Sequence, residues 1–357
     1  MNGDFSPGRE SIISVPVILG VSGGVDSCAA ALILRERGYD PLGIRLILHD
    51  QGDDRDRKRL VGLERLGIPV VEVDGRDAFR KFVIDPFVVA YGDGSTPNPC
   101  ILCNERVKFR LLFDEANRRG IQHVATGHYA GLGAYGDGIA IRRADRGGKD
   151  QSYMLYRLAR EWLPRLIFPL ELLSKPQVRT MVAHALDAFD LGQGDSQDIC
   201  FLPERLEDFL ARRLGDTCPP GPMITADGRR LGEHGGLYRY TLGQRKGLGL
   251  GGGPWFVADK DRKTNSLILG GVDDCAVVRI RCSMLRWHHR IKVGESYTVC
   301  HRYRSRAVLA TMTDLDGSSF EVLLSMPVQG VAPGQSLVVY DGSWLLAGGI
   351  ISHVSCR

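Results

Sequence analysis

The chain has 357 residues, 43% hydrophobic and 25% charged, the make-up of an ordinary soluble protein long enough for two or three domains. With 46 Lys and Arg against 42 Asp and Glu the net charge is +4, which is compatible with nucleic acid but too weak to argue for it. No apolar run approaches the ~20 residues of a membrane span. Residues 1–14 carry no secretion pattern and read as a disordered extension. Nine cysteines, an odd count without a secretion signal, point to a reducing compartment, the cytoplasm, rather than to a disulfide framework.

The first half alternates between strand and helix text. Strands are expected at Pro16–Ser22, Leu42–Leu48, Pro69–Val73 and His123–Thr126. Helices are expected at Asp26–Gly38, Asp53–Gly67, Asp77–Tyr91 and Glu105–Gly120. This pattern predicts an α/β fold with a parallel sheet covered on both faces. Ligands of such sheets bind beyond the carboxyl ends of the strands. Gly92–Pro99 cannot be helix or inner strand and reads as an active-site lip. A hairpin at Leu132–Arg143 follows, then helical text at Gln151–Leu158 and Lys175–Phe189. Around Asp216–Gly253 glycine and proline are dense, as in a small middle module. From Val272 onward six strand-like runs separated by turn signals predict an antiparallel β-barrel. The expected division is a catalytic domain over 15–205, a central domain over 206–271 and a barrel over 272–357.

The chemistry starts at Gly20-Val21-Ser22-Gly23-Gly24-Val25-Asp26-Ser27. A strand, a turn with two adjacent glycines and a helix start make an anion site, where backbone N–H groups and the helix dipole converge on a phosphate. Ser22 and Ser27 can add hydroxyl donors, and Asp26 can hold a metal ion or cap the helix. No Lys follows the glycines, so this is not a GxxxxGK[ST] loop; nor is it a dinucleotide GxGxxG turn.

Cys100-Ile101-Leu102-Cys103 is a CxxC placed on an exposed loop just before a helix, where the helix end, Arg106 and Lys108 would favour thiolates. Three readings stay open: half of a zinc site, a redox or sulfur-handling pair, and an iron–sulfur site completed by Cys200. Gly127, in Ala125-Thr126-Gly127-His128-Tyr129, would let a flat ligand approach the backbone. Tyr240-Thr241-Leu242-Gly243-Gln244-Arg245-Lys246-Gly247 is a basic turn suited to phosphate contact. His301-Arg302-Tyr303-Arg304-Ser305-Arg306 interleaves arginine with an aromatic on an expected barrel strand, a combination that suits RNA.

SGGVDS resembles the PP-loop of the ATP pyrophosphatases. The ordered set SGGVDS, TPNPCILCN, ATGHYA, KDQSY, DSQDICF, YTLGQRKGLG, RYRSR and PGQ resembles the tRNA-specific 2-thiouridylases from about Val15 to the end. The resemblance implies a PP-loop domain, a small central domain and a β-barrel. It implies that ATP, with Mg²⁺, adenylates the C2 oxygen of the wobble uridine of tRNA and that persulfide sulfur replaces it. Gly20–Ser27, Leu46 and Gly127 would then hold ATP, Cys200 would carry the persulfide, and Cys103 would release the sulfur by disulfide formation. Asn98, Pro99 and Cys100 would border the target base. His128, Lys149, Asp150, Gln151, Arg302, Tyr303 and Gln335 would touch tRNA, and a sulfur-donor protein would charge a chain that is monomeric when free.

This sequence departs from the family pattern at three places. Cys100 stands where Asp is frequent, Leu46 where Met is usual, and Gly131 where Arg is usual. The first gathers three cysteines at one expected site and admits a [4Fe–4S] cluster on Cys100, Cys103 and Cys200 as an alternative. Two other classes remain in view: a PP-loop ligase or amidotransferase acting on a small metabolite, and a non-catalytic RNA-binding protein.

Overall fold

The computed structural model describes residues 14–50, 54–144, 149–186, 199–202 and 204–356. The expected extension, 1–14, lies outside them up to residue 13, as does the end of the helical text at Phe189. The elements in chain order are β1 Val15–Val21, α1 Val25–Glu36, β2 Tyr39–Ile47, α2 Asp54–Arg65 and β3 Val70–Asp74. A long helix, α3, spans 76–92 with a π-helical segment Arg80–Ile84, and a second, α4, spans 99–118 with a π-helical segment Asn104–Lys108. Then come β4 His123–Thr126, β5 Ala130–Tyr135, β6 Gly138–Arg143, β7 Leu166–Ile167, α5 Lys175–Ala185 and α6 Leu206–Leu214.

The first sheet is parallel, in the order β3-β2-β1-β4-β7. Val17, Ile18 and Leu19 of β1 are fully buried, as a central strand covered on both faces requires. On one face, small residues of α1 (Cys28 to Ala31) pack with Val178 and Val182 of α5. On the other, α4 presents Phe109, Leu112, Phe113 and Ala116, an i, i+3, i+4, i+7 stripe. The chain winds from β1 outward to β3 and returns to place β4 on the other side of β1. The carboxyl ends of β1 and β4 therefore flank a crevice.

The glycine-rich middle is a domain of four strands: β8 Gly221–Thr225, β9 Arg230–His234, β10 Phe256–Asp261 and β11 Ser266–Gly270, in the order β10-β11-β8-β9. The last six strands are β12 Val277–Trp287, β13 Ser296–Cys300, β14 Val308–Leu315, β15 Phe320–Val328, β16 Ser336–Asp341 and β17 Trp344–Cys356. They run antiparallel as β12-β15-β14-β13-β16-β17, and β12 pairs back to β17 to close a barrel.

The expected Leu132–Arg143 hairpin forms as β5 and β6, and it joins the barrel sheet through Arg142 and Trp344. Two local expectations need correction. The text at Gln151–Leu158 forms only a 3₁₀ turn, Ser152–Leu155, because Asp150 binds the Ser152 backbone and hydroxyl at 3.0 and 2.9 Å and fixes a tight bend there. His301–Arg306 is the turn between β13 and β14, with Arg304 at φ 62°, not a strand.

The catalytic domain docks on the barrel through a buried ion cluster. Glu105 in α4 accepts from Arg157 at 2.7 and 3.2 Å and from Arg286 of β12 at 3.0 Å. Burial pushes the Glu105 carboxyl up, but the two guanidiniums outweigh it and hold the carboxyl below its ordinary value. Its stabilising contribution is therefore present above the unfolded carboxylate range, near 4.3, and is lost as pH falls through the folded value. Arg157→Met leaves that carboxylate buried without its main partner and should cost about 3–5 kcal/mol in urea unfolding at pH 7. The difference from wild type should shrink below about pH 4. A variant as stable as wild type at pH 7 would contradict the docking role.

Candidate nucleotide and sulfur site

β1 ends at the anion loop. Gly23 takes φ +75°, which a side chain rarely adopts. Gly24 is extended and stands at the N-cap of α1 with no side chain capping it. The Ser27 and Cys28 amides fold back on the Gly24 carbonyl at 3.0 and 3.3 Å, and the Ser22 amide donates to Ser27 Oγ at 3.0 Å. The Val25 and Asp26 amides have no acceptor within the helix by the geometry of a helix start, which with the dipole favours an anion. Across the crevice, Gly127 follows β4. A Cβ there would stand 3.1 Å from the Asp26 backbone oxygen, so a side chain would press on the Asp26 backbone. Leu46 lies near the carboxyl end of β2, partly buried against the core beneath α4.

Asp26 neither caps the helix nor stands free for a cation. Both its oxygens accept from Lys175 Nζ at 2.8 Å, one accepts from the Tyr129 hydroxyl at 2.7 Å, and Lys149 Nζ stands 3.8 Å away. Lys175 was not anticipated from the sequence. A signal existed: it is the first residue of α5, beside the Ser174–Gln177 capping box, where a cation opposes the helix dipole. Tyr129 also bonds Gln151 at both ends, its amide to Gln151 Oε1 at 2.9 Å and its carbonyl from the Gln151 amide at 2.7 Å. Asp150 accepts from Ala144 and Ser152. Asp150 and Gln151 thus fix the segment that carries Lys149. His128 is half-buried, bonded to Thr126 Oγ1 at 2.8 Å and stacked on Phe109 at 5.7 Å. Burial, helped by Lys108, holds it well below the usual imidazole range, so it is neutral at pH 7.

The CxxC is the first turn of α4, not an exposed loop. Asn98 is the N-cap, its side chain accepting from the Cys100 amide at 3.1 Å, and buried Pro99 occupies N1, the position where proline is favoured. Cys103 is buried beside Phe201 and Val107, Cys100 is half-buried and Cys200 is exposed. The expectation of low-pKa thiols fails in this state. Burial pushes Cys103 up to about 12 against the pull of Lys108, and it raises Cys100 as well. Cys200 is open on its outer side, yet the protein around its sulfur and the Cys100 thiol raise it, with Lys108 opposing. The mutual influence of the three thiols brings Cys200 to Cys100 and Cys103 from about a hundred residues away. Among the described residues, no three His, Cys, Asp or Glu side chains form a group able to hold a metal ion.

The lip before α4 is gripped from two domains. The Thr96 amide donates to Pro333 O at 2.8 Å and its carbonyl accepts from Gln335 at 2.6 Å, both in the barrel. From the central domain, Lys260 reaches Gly94 O at 2.8 Å and Arg262 pairs with Asp93 at 2.7 Å. Nearby, Arg302 and Arg304 are exposed, and Tyr303 lies half-buried 6.3 Å from Tyr153. The basic turn of the central domain borders an open cleft of about 420 Å³ lined by Arg245, Leu248, Leu250, Pro254 and Trp255.

A parallel sheet with an SGGVDS loop at its switch point, joined to a small β domain and a closed barrel, defines a PP-loop protein of three domains. The chain matches family models described as the tRNA methyl transferase HUP domain over residues 15–204, the tRNA methyl transferase PRC-barrel domain over 207–271 and the aminomethyltransferase beta-barrel domain over 277–351. It is 39% identical over 360 residues to the tRNA-specific 2-thiouridylase MnmA of Thiobacillus denitrificans, covering 95% of this chain and 100% of that one. It is 38% identical to the protein of the same name from Nitrosomonas eutropha (94% and 98% covered) and 37% identical to that from Sorangium cellulosum (98% and 95%). The chain belongs to the MnmA family of tRNA-specific 2-thiouridylases.

Gly127→Ala places a methyl group in the gap beside Asp26. Equilibrium dialysis with ATP should read at least about tenfold weaker binding, about 1.4 kcal/mol. Unchanged affinity would move the nucleotide away from this crevice.

Proposed function

We propose that this protein is an ATP-dependent tRNA uridine 2-sulfurtransferase acting on the wobble position. The observation that carries the reading is the convergence, on one sheet edge, of the Gly20–Ser27 loop, Gly127 and the thiols Cys100, Cys103 and Cys200. The PP-loop holds the phosphates of ATP on the α1 amides. Lys175 and Lys149, which neutralise Asp26 here, are close enough to follow the negative charge of a bound triphosphate. Asp26 is the one carboxylate in that loop; with Lys175, which holds both its oxygens here, drawn to the phosphates, it would be released to help hold the Mg²⁺ that accompanies them, an ion that asks few ligands of a protein.

The C2 oxygen of uridine attacks the α-phosphorus and pyrophosphate leaves, so the poor leaving group becomes AMP. The terminal sulfur of a Cys200 persulfide then bonds to C2 and AMP departs with the oxygen. Cys103 attacks the inner sulfur of Cys200; the sulfur–sulfur bond to the base breaks, a Cys103–Cys200 disulfide forms, and the sulfur stays on C2. Cys200 is the exposed thiol and so suits charging by a sulfur-donor protein, while buried Cys103 suits the internal role. Arg302, Arg304 and the Arg245 cleft offer phosphate contacts, Tyr303 offers an aromatic face, His128 would border the RNA from its place beside Phe109, and Asn98, Pro99 and Cys100, the cap and first turn of α4, would stand beside the target base. Among the described residues no helix is long and apolar enough to cross a membrane.

Nucleoside analysis of tRNA from a deletion strain lacking any paralogue should show loss of 2-thiouridine derivatives; undiminished levels would end the proposal. In the purified enzyme, Cys200→Ser should abolish thiolation and leave tRNA affinity within about twofold. Asp26→Ala should cut pyrophosphate release by about 10²-fold or more, the scale of losing a preorganised charge at a reaction centre. Release at the wild-type rate would remove the loop from the ATP site.

A further inference from the structure

We propose that the cleft between α3, α6 and residues 237–241 of the central domain binds a phosphate ester, at a place distinct from the anion loop. Neither Gly20–Ser27 nor the three cysteines line it, so the proposal does not rest on the thiolation reading. The cleft holds about 330 Å³, within the range of small-molecule sites and with room beyond one phosphate for the group it esterifies. Tyr91, in the last turn of α3, and Tyr238, in the 3₁₀ turn Leu237–Arg239, are its most enclosed polar side chains, 7% and 6% exposed. Arg205 and Arg239 stand exposed at its mouth.

Tyr91 carries the inference. Its ring packs edge to face on Phe87 at 4.9 Å, which holds it in the cleft wall. Among the described residues no group hydrogen-bonds its hydroxyl. A buried hydroxyl without a partner is costly, and native proteins rarely keep one without a use for it. Burial alone pushes this phenol up to about 12, so at neutral pH it is a donor whose acceptor a ligand can bring.

The surrounding charge favours an anion. Two guanidiniums and the Glu207 carboxylate line the cleft, and Glu207 is occupied by Arg205 at 3.0 Å. Arg239 has no carboxylate partner among the described residues. Its Nε donates to Gly235 O at 2.9 Å, and its guanidinium carbon stands 5.2 Å from the Tyr238 ring centre. That anchoring leaves its terminal N–H groups for the paired oxygens of a phosphate, which a guanidinium fork matches. Thr241 adds a hydroxyl 3.4 Å from that of Thr96, so the cleft adjoins the lip. A free mononucleotide and a nucleotide within an RNA strand both carry this chemistry.

The test titrates the full chain with uridine 5′-monophosphate while a non-hydrolysable ATP analogue saturates the anion loop. Wild type should bind the nucleotide saturably below about 10 mM, and uridine at least about tenfold more weakly. Arg239→Gln should weaken nucleotide binding by about tenfold or more and Tyr91→Phe by about threefold or more, as losing a charged or a neutral hydrogen bond does. Melting and affinity for the ATP analogue should stay as in wild type. Should Arg239→Gln melt early, Arg205→Gln takes its place in the comparison. Filter binding of unmodified tRNA to the same variants identifies the source: parallel losses assign the nucleotide to the RNA strand, and unchanged tRNA affinity assigns it to a free mononucleotide. No saturable nucleotide binding, or equal binding by wild type and variants, would overturn the proposal. Thiolation is not measured, so its failure would leave this result readable.

Discussion

The constraint on which the molecule depends is the reversal of strand order at β1. The chain leaves β1 for β2 and β3 on one side and returns to β4 on the other, so the two connections must part above the sheet and leave a crevice. Every group assigned to the nucleotide sits on one of these connections or faces it. Gly23 and Gly24 lie on the first and Gly127 on the second, and they pass so closely that a Cβ added at Gly127 would stand 3.1 Å from the Asp26 backbone oxygen. A binding cleft follows from topology before any side chain is chosen. The side chains then decide what the cleft prefers, and two lysines around one aspartate prefer polyanions.

Charge is handled differently at the two halves of the site. At the phosphate end a carboxylate with two lysines beside it leaves net positive charge, which suits a ligand that brings several negative charges at once. At the sulfur end, burial keeps Cys103, the most enclosed of the three thiols, protonated at neutral pH. Protonation protects an idle thiol from adventitious oxidation, because the thiolate is the reactive form.

Much of the fold was legible because its signals are local. Continuous apolar runs marked β1, β2 and β4, and the strand-like runs after Val272 marked the barrel. Failures fell where a local signal carried two meanings or a distant partner decided. Pro97 and Pro99 read as loop, yet proline after an asparagine is also the N1 residue of a capped helix, and that is its role in α4. Arg302 to Arg306 alternates like a strand, but Arg304 at φ 62° turns the chain. The β5–β6 hairpin was visible and its attachment to β17 was not, since nothing in its own text names Trp344. In the site, the glycines and cysteines were legible because each chemistry restricts residue type. Lys175 and Glu105 were not, because a lysine at a helix start or a glutamate within one is ordinary until its partner is known.

The lip residues 92–98 explain why one chain needs all three domains. Thr96 is a residue of the catalytic domain, yet both of its backbone groups are bonded by the barrel, and its hydroxyl lies 3.4 Å from that of Thr241 in the central domain. Two residues later Asn98 caps α4 and fixes the Cys100 amide. The start of the thiol helix is thus set by contacts outside its own domain, and the Glu105 clamp sets its middle in the same way through Arg286. A displacement of the barrel or of the central domain cannot occur without loading one of these bonds, since close-packed interfaces transmit rather than absorb small shifts. The start and the middle of the helix that carries Cys100 and Cys103 are therefore held in register by the other two domains as well as by its own.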